Sequence, residues 1–331
     1  PNEQVNLIAS HSYTYITRMI IDGKNITPIY KYNFPEKGHH TVYIKFKAII
    51  ENPTLESIFT GIERLMSVSF SNFDDYIPLI KFYNMFNKCT NLTSVDLSKI
   101  SFDMKKKYDL TSMFKDCINL KYVNLNFKKF NVNTAVNDIF YNCKSLISVD
   151  LSKLNISNTK NFENMFYNCI SLKSNNFKGV YLPSAEKINY MFYNCISLKS
   201  LDISSFNPNQ LTSMTGTFMN CISLSYINLT DLYTHSVKSM ENTFYNCSSM
   251  KLINVSNFNT QNVQSLKSMF SFCSSLESID VSNFDTNKVT DMSSMFYGCY
   301  SLTSINLKNI VTDKVTNMSN LFASCYSLKT I

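Results

Sequence analysis

The chain has 331 residues, of which 44% are apolar and only 17% are charged, whereas an average soluble domain carries about 25% charged residues. It contains six glycines and seven prolines, which excludes collagen-like, linker-like and Pro-rich disordered chains. No stretch of about 20 apolar residues predicts a membrane span. The net charge is +7 and the only arginines are Arg18 and Arg64, so nucleic acid is not an expected partner.

The first 55 residues alternate apolar and polar side chains, which is typical of β-strands. Strands are predicted at 14–21, 26–34 and 41–47, with a hairpin turn at Asp22-Gly23 and a second turn at 35–38. We expect these strands to form a three-stranded antiparallel piece that covers the open edge of the next part of the chain. Residues 1–55 are therefore predicted to be a β-rich N-terminal cap.

From residue 56 onward the chain is a repeat marked by ten cysteines. The first spacing between them is 28 residues and every later spacing is 26. Phe stands three residues before each Cys, and Leu stands three residues after it, except for Met250. An earlier copy has Ile62 in place of Cys, three residues after Phe59. The cysteines are Cys89, Cys117, Cys143, Cys169, Cys195, Cys221, Cys247, Cys273, Cys299 and Cys325.

A fixed period of this length is typical of solenoids, in which each coil returns the chain to the same place. Counted from the Cys of each coil, apolar residues at Cys+6 and Cys+8 enclose a polar residue, which predicts a short strand. Stacked coils would pair these strands into one parallel sheet. The second half of each coil is predicted to contain turns or one short helical turn. The exposed last coil leads us to expect further repeats or a cap beyond Ile331.

The predicted fold class is thus an α/β or mainly β repeat solenoid, a leucine-rich-repeat-like right-handed coil with one parallel sheet and about eleven coils over 56–331. The repeat unit closely resembles the BspA-like leucine-rich repeats, through the motif F-x-x-C-x-x-L and the apolar pair that follows it. One unit shows this in Phe270, Cys273, Leu276, Ile279 and Val281. The Cys89 unit departs from the pattern by its two extra residues.

Proteins of this family are found on the surfaces of bacteria and of some parasitic protists, where several act as adhesins. The resemblance therefore implies a non-enzymatic, secreted or cell-surface protein that binds a protein or glycan on a host cell or matrix. The alternative is a structural subunit of a surface filament or larger assembly, which would self-associate through the end of the solenoid. The resemblance implies no cofactor.

The cysteine column has several possible roles, namely packing, disulfide bonding, metal binding or reactivity. Adjacent coils bring Cα atoms within disulfide range, but in-register side chains point in parallel, which suits a bridge poorly. No C-x-x-C or C-x-x-H occurs, although metal sites commonly use such spacings. Because a buried thiol packs as a small apolar group, we interpret the column as a structural core ladder, with occasional bridges left open.

Catalytic motifs are absent from the sequence. No phosphate-binding Gly-rich loop and no G-x-S-x-G occurs, and none of His11, His39, His40 and His235 lies in a repeat column. We therefore predict no enzyme, no cofactor and no metal.

Two sets of side chains are candidates for a binding surface. Residues at Cys+7, between two inward positions of the strand, are predicted to face water with Cys+5 as a polar concave strip. Tyrosines recur two residues before Cys, and Tyr is favoured at interfaces. The alternatives are a solvated face for the strip and chance enrichment for Tyr. The candidates are Asp96, Asp150, Asn176, Asp202, Asn228, Asn254, Asp280, Asn306, Tyr141, Tyr167, Tyr193, Tyr245 and Tyr297.

Seven Asn-x-Ser/Thr sequences are possible glycosylation sites if the organism glycosylates secreted proteins. In a chain this rich in Asn and Ser several arise by chance, and those on the strand column would need a crowded glycan. Asn25 and Asn155 are therefore the preferred candidates.

Overall fold

The computed structural model describes residues 4–9, 16–46, 55–70, 81–100, 108–126, 134–152, 154, 156–173, 177 and 179–330. These residues contain short strands joined by turns and no helix, so the solenoid is mainly β and the short helical turn predicted for each coil is replaced by turns. Within the described part, no helix of the length and hydrophobicity needed to cross a membrane is found.

The N-terminal region contains five strands in two antiparallel sheets. Strands β2, β3 and β5 form one sheet in the order β3-β2-β5, and β1 pairs with β4 in the other. Ile21 faces Lys24 across the predicted Asp22-Gly23 turn, so this is a two-residue hairpin loop. The strands are β1 Gln4–Asn6, β2 Ile16–Ile21, β3 Lys24–Ile26, β4 Lys31–Asn33 and β5 Val42–Phe46.

The strand predicted at 26–34 is wrong as a single element. The first strand of this stretch ends at Ile26, and the second begins at Lys31 in the other sheet. Pro28 lies between them and has no N–H to donate to a strand ladder, so it interrupts the pairing. The first sheet still has three antiparallel strands, but the strand that follows the hairpin is only three residues long.

The N-terminal region contacts the first coil of the repeat. The backbone N–H of Ala9 donates to the carbonyl of Ile58 at 2.7 Å. Leu7 and Ile8 are buried in the same apolar cluster as Ile58 and Phe59. A surface depression lined partly by Ile8 lies at this junction. How the protein divides into domains at residue 55 remains a prediction.

The interior of the repeat region is built from columns of identical side chains stacked coil on coil. The Phe rings at Cys−3 stack nearly parallel, with centroids 5.3–5.8 Å apart and interplanar angles of 15° or less. This stack runs without a break from Phe59 to Phe322. Since each ring is covered on both faces by its neighbours, burial is shared between coils and no coil is a separate unit.

Parallel strands pair at two places around each coil. One is the Cys+5 to Cys+7 segment that the sequence predicts, in which the middle residue is buried or half-buried and the first and third face outward. Its strands are β6 Ser67–Ser69, β7 Ser94–Asp96, β9 Tyr122–Asn124, β11 Ser200–Asp202, β12 Tyr226–Asn228, β13 Ser278–Asp280 and β14 Ser304–Asn306. The other lies at Cys−8, where β8 Tyr108–Asp109 pairs with β10 Thr134–Ala135 and single bridges link 161, 187, 213, 239, 265, 291 and 317.

The prediction of one sheet along about eleven coils needs correction. At Cys+5 to Cys+7 the described strands form three separate parallel sheets, because the segments at 148–150 and 252–254 have no strand pairing. Including Thr330, which is bridged to Ser304, about eight coils carry a paired residue in this column. The count is slightly lower than predicted because the stacked interior, rather than the strand ladder, maintains the period.

Two residues in every coil have left-handed backbone conformation. They lie at Cys−5 and Cys−1, with φ between 53° and 71° in each coil from Ser57 to Ser324. Around them, N–H groups bond alternately within the turn and to the next coil. The N–H of Asn168 donates to the carbonyl of Tyr193 at 2.7 Å, whereas that of Cys169 donates to Phe166 at 3.1 Å. These turns satisfy the backbone groups that a helix would otherwise pair.

Candidate binding surface

The Cys+7 side chains of the strip close the strand of each coil. In every described coil with Asp or Asn at this position, Oδ1 accepts the N–H of the residue two positions later, at 2.8–3.2 Å. This is the local turn for which short Asx side chains are suited. The acceptors are Asp96, Asn124, Asp150, Asp202, Asn228, Asn254, Asp280 and Asn306.

These same side chains face outward. Asn228 is half-buried and the other seven are exposed. Hydrogen bonds from the backbone and side chain of Ser204 lower the pKa of Asp202, and bonds from Ser282 lower the pKa of Asp280. Both carboxylates therefore remain ionised at neutral pH. The column has a structural bond on one oxygen of each side chain and leaves the second oxygen, or the amide nitrogen of Asn, available to a partner.

The neighbouring columns make this face more varied than a polar strip. At Cys+5 most coils carry Ser, but Tyr122, Tyr226 and Leu252 stand there with 58%, 60% and 65% exposure. At Cys+4 exposed lysines recur, so a basic column runs beside the Asp and Asn column. These lysines are Lys121, Lys173, Lys199 and Lys251. The sequence reading of a mildly acidic strip took no account of them, although their spacing of 26 or multiples of it could have revealed them.

The five candidate tyrosines divide into two groups. Tyr141, Tyr167 and Tyr193 stack face to face, with centroids 4.5 Å and 4.3 Å apart. Tyr245 and Tyr297 instead each contact the ring of Phe272 edge to face, at 5.5 Å and 5.0 Å. All five are half-buried. Their ring faces are thus largely engaged within the protein, and their edges and hydroxyl groups remain for outside contacts.

The stacked tyrosines are also electrostatically distinct. The ammonium group of Lys115 lies 4.4 Å from the centroid of the Tyr141 ring, a favourable cation–π position. Burial and the neighbouring phenols raise the pKa of Tyr167 to about 12. Burial also raises the pKa of Tyr141, with the Asp116 charge as the next cause. All three hydroxyl groups therefore remain protonated and can donate hydrogen bonds.

Every cysteine is a free thiol, buried in all coils except that of Cys325, which is half-buried. Each thiol donates to the carbonyl of the Phe at Cys−3 in the preceding coil, with sulfur–oxygen distances of 2.9–3.2 Å. Burial raises the pKa of Cys89, Cys221 and Cys273 to about 12. A thiol with such a pKa is a poor nucleophile and a poor metal ligand.

Other candidate chemistry is sparse. Within the described ranges, no three His, Cys, Asp or Glu side chains come close enough to hold a metal ion. Asn25 is exposed, and its Oδ1 accepts a bond from Arg18 Nε at 2.9 Å. Asn176 of the strip and Asn155, the second preferred glycosylation candidate, lie outside the described residues.

The sequence analysis missed one column of functional appearance, the Asn residues at Cys−1. These side chains form amide ladders between coils, as when Nδ2 of Asn168 donates to Oδ1 of Asn142 and Nδ2 of Asn194 to Oδ1 of Asn168, both at 2.6 Å. All are in left-handed conformation, which Asn tolerates better than most residues. The signal was visible as Asn directly before Cys143, Cys169 and the next three cysteines.

Comparison with solved structures finds several leucine-rich-repeat proteins. A leucine-rich cell surface protein from Faecalibacterium prausnitzii has 16% identity and a TM-score of 0.37, over 90% of this chain and 86% of that one. A leucine-rich repeat protein from Bacteroides ovatus has 18% identity and a TM-score of 0.35, over 95% and 92%. An internalin from Listeria monocytogenes has 14% identity and a TM-score of 0.28, over 81% and 86%. At these TM-scores they carry no conclusion about function.

No curated protein matches the chain. A family model does match it, in three overlapping stretches at residues 80–199, 134–251 and 212–331. That family is described as Mycoplasma protein of unknown function, DUF285. Because the three stretches together cover most of the repeat region, the chain belongs to the DUF285 family, and its repeat is of the BspA-like leucine-rich type.

Proposed function

We propose that this protein is a non-enzymatic cell-surface binding protein that presents the strip formed by the Cys+4, Cys+5 and Cys+7 columns to a protein on a host cell or matrix. The observation that supports the strip is the repeated, outward-facing Asp and Asn side chain, held in one orientation by its backbone bond in every described coil that has it. A surface ordered in this way loses little conformational entropy on binding.

The composition of the strip favours a protein over a glycan as the partner. Exposed Tyr226 and Leu252 lie in adjacent coils among the polar columns, and such apolar side chains with a polar surround are typical of protein interfaces. Ionised Asp202 and Asp280 beside Lys199 and Lys251 provide charges of both signs. The stacked tyrosines are a weaker candidate for a sugar site because their ring faces already contact one another.

The test removes charge without removing the structural bond. In the triple variant Asp150→Asn, Asp202→Asn, Asp280→Asn, the amide oxygen can still accept the backbone N–H, as Asn124, Asn254 and Asn306 do. If each exposed charge pair contributes about 0.5 kcal/mol, adhesion to cells or immobilised matrix protein falls roughly tenfold. Higher salt is expected to weaken the original protein more than the variant.

A matched control removes three charges elsewhere, in Asp231→Asn, Asp285→Asn, Asp313→Asn, none of which lies in the strip. Its adhesion is expected to stay near that of the original protein. Equal adhesion of both folded triple variants would reject the strip as the binding surface. Competition by free glycan, with no competition by matrix protein, would reject the protein partner.

A further inference from the structure

The three stacked tyrosines form an arrangement that the binding function does not use. Tyr141 and Tyr167 lie with centroids 4.5 Å apart and planes 6° from parallel, and Tyr167 and Tyr193 lie 4.3 Å apart and 13° from parallel. Rings this close and this parallel have carbon atoms of one ring in van der Waals contact with the other. Tyr167 therefore has a phenol ring against each of its two faces.

We propose that Tyr167 is the centre of an oxidative cross-linking site, at which hydrogen peroxide with a peroxidase couples it to Tyr193 or Tyr141. Each phenol loses one electron and one proton to give a neutral tyrosyl radical. The two radicals form one carbon–carbon bond between ring positions ortho to the hydroxyl groups. Each of these carbons then gives up its hydrogen as the ring regains aromaticity and the oxygen regains its proton. One peroxide is reduced to two waters, and the protein loses two hydrogen atoms in total.

The surrounding structure holds the two radicals together. The amide ladder at Cys−1 fixes the adjacent backbone positions, with Asn168 bonded to both Asn142 and Asn194 at 2.6 Å. All three tyrosines are only half-buried, so their edges are open to an oxidant and the rings have room to rotate as the bond forms. The cross-link would join coils 26 residues apart and fix their spacing.

The Lys115 ammonium group selects between the two possible products. It lies 4.4 Å from the Tyr141 centroid, and a positive charge over a ring opposes removal of an electron from that ring. No item of this kind is printed for the Tyr193 ring, whose other close aromatic contact is Tyr190, edge to face at 6.1 Å. The Tyr167–Tyr193 bond is therefore the expected main product.

The test exposes the purified protein to horseradish-type peroxidase and hydrogen peroxide at a protein concentration low enough to suppress coupling between chains. Dityrosine fluorescence and mass spectrometry of tryptic peptides report the product. Trypsin can cut at Lys160 and Lys187, so each stacked tyrosine lies on its own peptide and a cross-link joins two of them. The expected result is a joined pair containing Tyr167 and Tyr193.

Tyr167→Phe keeps the ring in the stack and removes the hydroxyl needed for coupling, so the joined peptide is expected to disappear. Tyr245→Phe is the matched control, because Tyr245 has the same position in its coil but contacts Phe272 instead of another tyrosine. It is expected to leave the yield unchanged. The double variant Tyr141→Phe, Tyr193→Phe should abolish the product in the same way, which guards against a folding defect in one variant.

Two outcomes would overturn the proposal. One is an unchanged dityrosine yield in folded Tyr167→Phe. The other is coupling that maps to the most exposed tyrosines, such as Tyr43 at 62% or Tyr326 at 81%, with none at Tyr167. Neither result bears on the polar strip, so this proposal and the binding function can fail separately.

Discussion

The N-terminal sheets and the repeat region are stabilised by contacts of different range. In the first hairpin, Ile21 pairs with Lys24 across a two-residue loop, and His40 bonds to Asp22 at 2.8 Å on the same small sheet. In the repeat, most bonds and ring stacks join positions one coil apart, such as Phe192 on Phe166. The comparison teaches that the repeat depends on neighbouring coils being in register, whereas the N-terminal region depends on a few local bonds, one of which titrates.

The largest expected effect comes from removing one ring of the Phe stack. Phe192 is fully buried between Phe166 and Phe218, and it also meets the edge of Phe177. Phe192→Ala is therefore expected to lower the free energy of unfolding by about 3–5 kcal/mol. Urea denaturation followed by circular dichroism measures this change.

Tyr43→Ala in β5 is the control in the N-terminal region, because Tyr43 is 62% exposed. It is expected to change stability by less than about 0.5 kcal/mol. A loss for Phe192→Ala no larger than that of the control would show that the stack does not stabilise the repeat.

A smaller effect is expected at the amide ladder. Asn168→Ala removes bonds to two neighbouring coils and places an Ala at φ 59°, which costs about 1–2 kcal/mol for the left-handed backbone alone. Asn168→Gly loses the bonds but tolerates this backbone. The Ala variant is thus expected to unfold at lower urea than the Gly variant, which separates backbone conformation from hydrogen bonding. Equal midpoints for the two would contradict the role given to the left-handed turn.

The smallest expected effect is a pH dependence confined to the N-terminal region. The bond to Asp22 and the carbonyl of Glu36 raise the pKa of His40, while bonds from Thr41 and His40 lower the pKa of Asp22. The histidine contribution is therefore full below the unfolded pKa of about 6.5 and is lost as pH rises through the folded pKa. The Asp22 contribution is full above the unfolded pKa of about 3.9 and is lost as pH falls through the folded pKa.

An NMR titration of the His40 ring tests this directly, with a midpoint above the ordinary value expected in the original protein. In Asp22→Asn the midpoint should return toward that ordinary value. A repeat variant such as Asn168→Gly should leave it unmoved, and a shift there would show that the two regions are coupled.

The sequence was informative wherever one residue type recurs at one position. The Phe and Cys columns, the strand at Cys+5 to Cys+7 and the Asp22-Gly23 turn were all visible, because buried columns and tight turns restrict residue type strongly. The left-handed positions were not, because residues as different as Tyr190, Gly216 and Phe272 occupy them. Gly216 is required where it stands, since a Cβ there would come within 2.4 Å of the Tyr190 ring.

The candidate surface was predictable only in part. The Cys+7 column was identified from its position between two inward side chains, but its bond to the backbone two residues later depends on how the chain turns after the strand. The thiol bonds to the preceding coil could not be predicted, because the sequence does not say which carbonyl faces each sulfur. Stacking of Tyr167 on its neighbours, in contrast to Tyr245, depends on having Tyr in three consecutive coils.

The most direct test of the stacked-coil account is to count reactive thiols before and after unfolding, without added reductant. All ten cysteines are free and nine are buried, so native protein treated with a maleimide is expected to be labelled at Cys325 alone, and unfolded protein at all ten. Mass spectrometry of the labelled peptides gives the count. Disulfide-linked peptides, or rapid native labelling at interior cysteines such as Cys195, would contradict the account.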